Sequence, residues 1–265
     1  MQCNGKDAFV RAFAYGPNEI WGRTMETSFL GVLGGMGPLA TADFLRKLVK
    51  KTPADVDQKH IPVLLYGDCT TPDRTASVIG QGPSPLPHLL AGIRFLAAQG
   101  ARAICIPCNS AHCWYDEMQA ASPAPLLHIV KASAAQIHRK NPNAARVGVL
   151  STLGTHRMGI YHDTLTAIGY EVVTPTDHEF ETLISPAIAM NKACKWAEAE
   201  PLYDEATQRL WDRGAEIVVL GCTEIPFGME RQYRANPMKF VDSNDALVDA
   251  ALNFFIGAEA APAAA

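Results

Sequence analysis

An internal repeat constrains this chain more than any other feature. Gly100-Ala101-Arg102 leads through an apolar run to Cys108, and Gly214-Ala215-Glu216 leads through IVVLG to Cys222, so each cysteine falls eight residues after the repeated glycine. Upstream, Gly31-Val32-Leu33-Gly34-Gly35 is matched by Gly148-Val149-Leu150-Ser151-Thr152 at nearly the same separation. Two matches in one order and spacing imply a duplicated unit. Short β-branched runs alternate with longer amphipathic stretches around them. The first half reads Phe29 to Leu33, Ala40 to Lys51, Val63 to Tyr66, Leu86 to Gln99 and Ala103 to Ile106. The second reads Val147 to Leu150, Tyr161 to Ile168, Glu171 to Val173, Glu200 to Arg213 and Ile217 to Leu220. Strands alternating with helices in this way specify an α/β fold, here as two similar units, each a mostly parallel sheet flanked by helices.

The repeat sets the expected boundaries. The first unit takes residues 28–125, completed by 238–256, and the second takes 126–237. Residues 1–27 show no sustained period, and a natural start stands near Met25, so a poorly ordered extension is expected there. Residues 257–265, mostly alanine, have almost nothing to bury and should fray.

With 265 residues, 48% of them hydrophobic and 19% charged, the chain can bury a large core. A net charge of -4 leaves no basic stripe for a nucleic-acid backbone or an acidic membrane, which makes a small molecule the expected partner. No apolar run approaches the roughly 18 to 20 residues that span a bilayer, and the first residues lack the pattern of a signal peptide. Cytoplasm is the expected address. The seven cysteines are an odd number, several of them inside strand-like runs, and read as free thiols.

Ligands of open parallel sheets bind beyond the carboxyl ends of the strands, which is where Cys108 and Cys222 fall. Each is followed by turn or helix-start residues, Asn109-Ser110 and Thr223-Glu224, and a helix start lowers a thiol's proton affinity. Two such thiols facing one another form a symmetric acid/base pair. Such a pair suits a reaction that removes a proton from one face of a carbon and returns one to the other. The remaining cysteines, Cys3, Cys69, Cys105, Cys113 and Cys194, read as small hydrophobes. Gly34-Gly35-Met36-Gly37-Pro38 fits neither nucleotide-binding glycine pattern and reads as a tight strand-to-helix turn lining the cleft.

The segments GVLGGMGPLATADF, TPDRTA, IPCNSAHCW and VVLGCTEIP resemble the motifs of aspartate/glutamate racemases that work without pyridoxal phosphate, aspartate racemases above all. The resemblance runs from about Phe29 to Asp242. It implies two pseudo-symmetric domains with the active site in the cleft between them, no cofactor and no metal, a homodimer, and racemisation of aspartate or glutamate. It also implies that Cys108 and Cys222 are the two acid/base residues, and that Asn109, Ser110 and Ala111 hold the substrate's α-carboxylate with Thr223 opposite. Arg74 would bind the distal carboxylate, with Lys192 assisting. Met36 and Glu224 are expected one layer out. Glutamate racemases carry histidine at the position of Glu224, so the glutamate resembles the aspartate-preferring branch. Glu224 either orients Cys222 and tunes its proton affinity or caps a helix start. Ser110 stands where threonine is commoner.

Decarboxylases of the arylmalonate type and cis-trans isomerases share this fold, but the decarboxylases typically work with one cysteine, so two favour racemisation. A redox or metal protein is the alternative from another class, because Cys105-Ile106-Pro107-Cys108 is a CxxC with His112 and Cys113 close behind. If Ala103 to Ile106 is a strand, Cys105 sits within it and only Cys108 reaches the loop, which argues against that alternative. His112 is the one histidine close enough to Cys108 to test.

Overall fold

The computed structural model describes residues 28–257; the expectations for residues 1–27 and for the tail beyond 257 lie outside the described residues. The first of two parallel sheets holds β1 (Leu30–Gly34), β2 (Val63–Gly67), β3 (Ala103–Cys105) and β4 (Leu126–Leu127) in the order β2-β1-β3-β4. The second holds β5 (Arg146–Ser151), β6 (Glu171–Val173), β7 (Ile217–Gly221) and β8 (Phe240–Asp242) in the order β6-β5-β7-β8. Both sheets thus have the same topology, as a duplicated α/β unit requires.

The first half carries helices α1 (Pro38–Lys51), α2 (Arg74–Val78), α3 (Leu86–Ala98), α4 (Tyr115–Ala120) and α5 (Ile129–Lys140). The second begins with α6 (Leu153–Arg157) and α7 (Ile160–Ala167), and a π-helical stretch at Phe180–Ile184 runs into α8 (Ser185–Lys192). It continues through α9 (Trp196–Asp212), α10 (Ile225–Gly228), α11 (Glu230–Ala235) and α12 (Ser243–Ile256). Among the described residues no helix is long and apolar enough to cross a membrane.

The repeated Gly-Ala pair has a shared physical cause. Gly100 (φ 88°) and Gly214 (φ 87°) end α3 and α9 in the left-handed region, where a side chain is costly. The next amide turns back on the helix: Ala101 N–H donates to the Leu96 carbonyl at 3.2 Å and Ala215 N–H to the Leu210 carbonyl at 3.0 Å. Each alanine then lies under a glycine of the neighbouring strand. A Cβ at Gly31 would stand 3.1 Å from that of Ala101, and one at Gly148 would stand 3.1 Å from that of Ala215. The repeat therefore encodes how a helix seats on its sheet in each half.

The inner strands β1, β3, β5 and β7 are buried on both faces and alternate between two layers of core. Leu30 and Val32 of β1 and Val147 and Val149 of β5 enter one central core together with α1, α5, α7 and α12. The opposite faces pack outward, Leu33 and Ile104 against α3 and Val218 and Leu220 against α8 and α9. The two halves thus share their largest core. Strand pairing differs from the expected boundaries: β4 follows residue 125 yet pairs with β3 of the first sheet, and β8 lies in 238–256 yet pairs with β7 of the second. Only α12 in that segment packs across both halves, against α1 and α5 and beneath β3, β4, β7 and β8.

Candidate active site

β3 and β7 are inner strands of their sheets, and each delivers a cysteine at its carboxyl end. Cys108 and Cys222, from opposite halves, line one cleft of about 30 Å³. Their turns are joined directly, since Thr223 Oγ1 donates to the Pro107 carbonyl at 3.3 Å. Both residues are almost wholly buried.

Asn109 and Ser110 line the cleft beside Cys108 and are tied to the other half. Asn109 Oδ1 accepts from the Tyr161 hydroxyl at 2.6 Å, and its Nδ2 donates to Ser243 Oγ at 2.9 Å. Ser243 Oγ in turn donates to the Leu220 carbonyl of β7 at 2.7 Å. Ser110 Oγ lies 2.9 Å from the hydroxyls of both Thr152 and Thr155, which are 3.0 Å apart. Ala111 is different. It sits in the first turn of a 3₁₀ helix (Ser110–Trp114) with its side chain in the outer core, which leaves only its backbone for the expected role.

Arg74, at the start of α2, lines the cleft with much of its guanidinium already engaged. Nη1 donates to the Thr71 and Pro72 carbonyls at 3.2 and 2.9 Å, and Nη2 to the Met36 carbonyl at 3.2 Å. Of five donors, the Nε–H and one Nη2–H are left, and Nε is buried without a partner. Arg74 thereby also pins the glycine-rich turn, whose Met36 lines the cleft itself instead of standing one layer out. Lys192, in the last turn of α8, reaches the cleft and pairs across it with Asp73 at 3.4 Å. Lys195 instead pairs with Glu198, outside the cleft.

Burial pushes the Cys222 thiol up to about 12, with the nearby charges of Glu224 and Cys108 adding to the rise. Desolvation of the thiolate outweighs the bond from the Glu224 amide and the charge of Lys192, so the lowering expected of a helix start does not dominate at Cys222. Burial also raises the Glu224 carboxyl, against the opposing charge of Lys192. Its side chain makes no capping bond, so of the two readings of Glu224 capping falls; the carboxyl lines the cleft instead. Its backbone carbonyl accepts from Asn191 Nδ2 at 2.7 Å.

The CxxC divides between two cores. Cys105 packs with Leu30 and Val32 in the central one, while Cys108 belongs to the outer one. Among the described residues no group of three or more His, Cys, Asp or Glu converges as metal ligands. His112 lies 2.9 Å from the Cys108 carbonyl through Nδ1, and its Nε2 accepts from the Ile129 amide at 3.3 Å. Burial lowers it to about 4, so it is neutral near pH 7 and braces the turn with both nitrogens.

Sequence reasoning left out Asp73, Thr75 and Thr152, which complete the lining, and Tyr161 and Ser243 behind Asn109. Thr152 was findable, since the repeat sets Ser151-Thr152 against Gly34-Gly35.

Comparison with known proteins bears on the same region. The family described as Asp/Glu/hydantoin racemase matches residues 33–251. The broad specificity amino-acid racemase RacX of Bacillus subtilis is 27% identical over 249 residues, 86% of this chain and 98% of that protein. Among solved structures, Picrophilus torridus aspartate racemase is 27% identical with a TM-score of 0.75, covering 86% of this chain and 94% of its own. The fold alone is shared with glutamate racemase from Francisella tularensis, 17% identical with a TM-score of 0.65 over 90% of this chain and 85% of that one.

Proposed function

The chain belongs to the Asp/Glu/hydantoin racemase family and is an amino-acid racemase, and from that premise we propose that it interconverts L- and D-aspartate, with glutamate as a second substrate, by a two-base mechanism that needs no cofactor. The observation that carries the mechanism is that two strand-end cysteines, one from each half, line the same cleft. That the structure similar to this chain at 27% identity is an aspartate racemase supports the substrate.

One cysteine, as thiolate, takes the α-proton from one face of the substrate, and the bonding pair passes to the α-carbon and its carboxylate. The other, as thiol, gives its proton to the opposite face. The product leaves with the two protonation states exchanged, and the reverse reaction uses the other pairing. Burial keeps Cys222 in its thiol form in the empty cleft, which is the donor state. The α-carboxylate is held in this reading by the turn of Asn109 and Ser110 with Thr223 opposite, close to amide donors that stabilise charge building on it. The two donors left on Arg74 receive the distal carboxylate, and Lys192 exchanges Asp73 for substrate.

The reading extends to a cytoplasmic homodimer. Exposed Val63, Leu65 and Tyr66 on β2, an edge strand, support a second copy as the partner, and light scattering in solution tests the assembly.

The central test is α-proton exchange in heavy water, followed by proton NMR and chiral chromatography, with L-aspartate and L-glutamate in reductant and no added cofactor. Exchange with D-isomer formation, lost in Cys108→Ser and in Cys222→Ser, is the expected outcome. Exchange that survives either substitution would remove the two-cysteine mechanism, and no exchange with either amino acid would remove the acidic substrate.

A further inference from the structure

The cleft between the cysteines is narrow, about 30 Å³ against about 170 Å³ for a second cavity beside it. A side chain longer than that of aspartate must extend elsewhere. The second cavity shares Asp73, Thr75, Thr152 and Lys192 with the cleft, so the two adjoin at those four residues. Its remaining walls are Leu153 at the start of α6 and Ser185, Ile188 and Ala189 on α8. Ser185, Ile188, Ala189 and Lys192 fall at i, i+3, i+4 and i+7, one face of that helix.

The chemistry of this space differs from that of the cleft. Its charged groups are Asp73 and Lys192, which already neutralise one another at 3.4 Å. An acidic side chain lodged here would face the Asp73 carboxylate, and Lys192 would serve it only by giving up that pair. An aliphatic stem would instead cover Leu153, Ile188 and Ala189, gaining from apolar burial without disturbing the pair.

Resting on the racemase reading of the cleft, we propose that this cavity is a side-chain subsite that admits uncharged amino acids with aliphatic side chains longer than that of aspartate. Aspartate reaches Arg74 within the cleft, while a longer unbranched chain passes beside the Asp73–Lys192 pair, along Thr75 and Thr152, and lies along α8.

The test compares α-proton exchange of L-norleucine and of L-aspartate, each alone, by the full chain and by Ala189→Phe. Ala189 is exposed, so the added ring fills the cavity from its open side, and Ser185→Phe, also exposed and one turn earlier, repeats the test if the first variant does not fold. Both amino acids are expected to exchange, and the filled variant is expected to lower kcat/KM for norleucine at least tenfold relative to aspartate. Norleucine left inert while aspartate exchanges would overturn the proposal, as would a ratio that neither variant moves. Exchange of norleucine alone, falling in the variants, would uphold the subsite and remove the acidic substrate. Exchange of neither would remove the racemase reading and the subsite with it.

Discussion

Cys222 is buried at the wall of the cleft, and that sets how it reacts before substrate arrives. Its thiol, pushed up to about 12, is a poor nucleophile near pH 7. Cys69 and Cys194 are exposed. Iodoacetamide at neutral pH is therefore expected to label Cys69 and Cys194 first, with loss of turnover lagging well behind total labelling in peptide mass spectrometry. Labelling of Cys222 ahead of the exposed pair would mean that the cleft opens far more often than its burial implies. The amide of Asn109 is as tightly defined. Tyr161→Phe removes the donor to its buried Oδ1, and an unsatisfied buried acceptor costs about 1–3 kcal/mol. A loss of about tenfold to a hundredfold in kcat/KM is expected, whereas Ser133→Ala, which touches the same phenol at 3.4 Å, should change little. Cys108, Asn109 and Cys222 were legible in the sequence because the repeat places them. Tyr161 and Ser243 were not, because their bonds to Asn109 join residues 52 and 134 positions apart, and no local pattern records such a meeting.

At the scale of elements, legibility followed length. Leu86 to Gln99 was read from its apolar period and forms α3 over Leu86–Ala98. The pieces that position the site are too short to carry a period: α2 and α6 have five residues each, and β4 has two. α12 escaped for another reason, since polar Ser243 and Asn244 are buried while Phe254 and Ile256 are exposed, which blurs its apolar period. α2 and α6 meet across the two halves at Gly154, where a Cβ would lie 2.8 Å from the Thr75 Cα. Backbone on that side cannot yield, so Gly154→Ala must push α2 away, and Asp73, Arg74 and Thr75 with it. A stability loss of about 1–3 kcal/mol in thermal or urea unfolding is expected, together with a rise in KM for aspartate. A variant that loses stability and keeps its KM would show that the position of α2 does not govern binding.

Duplication told the sequence reader that there are two units, but not that they share one interior. Leu30, Val32, Val147 and Val149 lie in a single core closed by α12, and Lys47 of α1 bonds Asp43 and, across the halves, Asp242 at the end of β8. Unfolding one half would expose the apolar face of the other, so heat should melt the molecule in one transition, with calorimetric and van't Hoff enthalpies equal. Acid should weaken that transition in a defined window. Burial holds His112 at about 4 and His128 at about 3 in the folded protein, against an ordinary value near 6.5. Between pH 6.5 and 4 the unfolded chain therefore binds protons that the folded chain refuses, and stability must fall as pH falls. His112 alone accounts for on the order of 3 kcal/mol by pH 4. Glu224 and Asp242, whose carboxyls burial raises, take up protons earlier when folded and oppose part of this slope. The melting temperature is expected to drop steadily from pH 6.5 to 4, and His112→Asn, whose amide can still donate to the Cys108 carbonyl, should flatten the drop. Two separate transitions would mean that the shared core does not couple the halves, and an unchanged slope in the variant would place the acid sensitivity elsewhere than beneath Cys108.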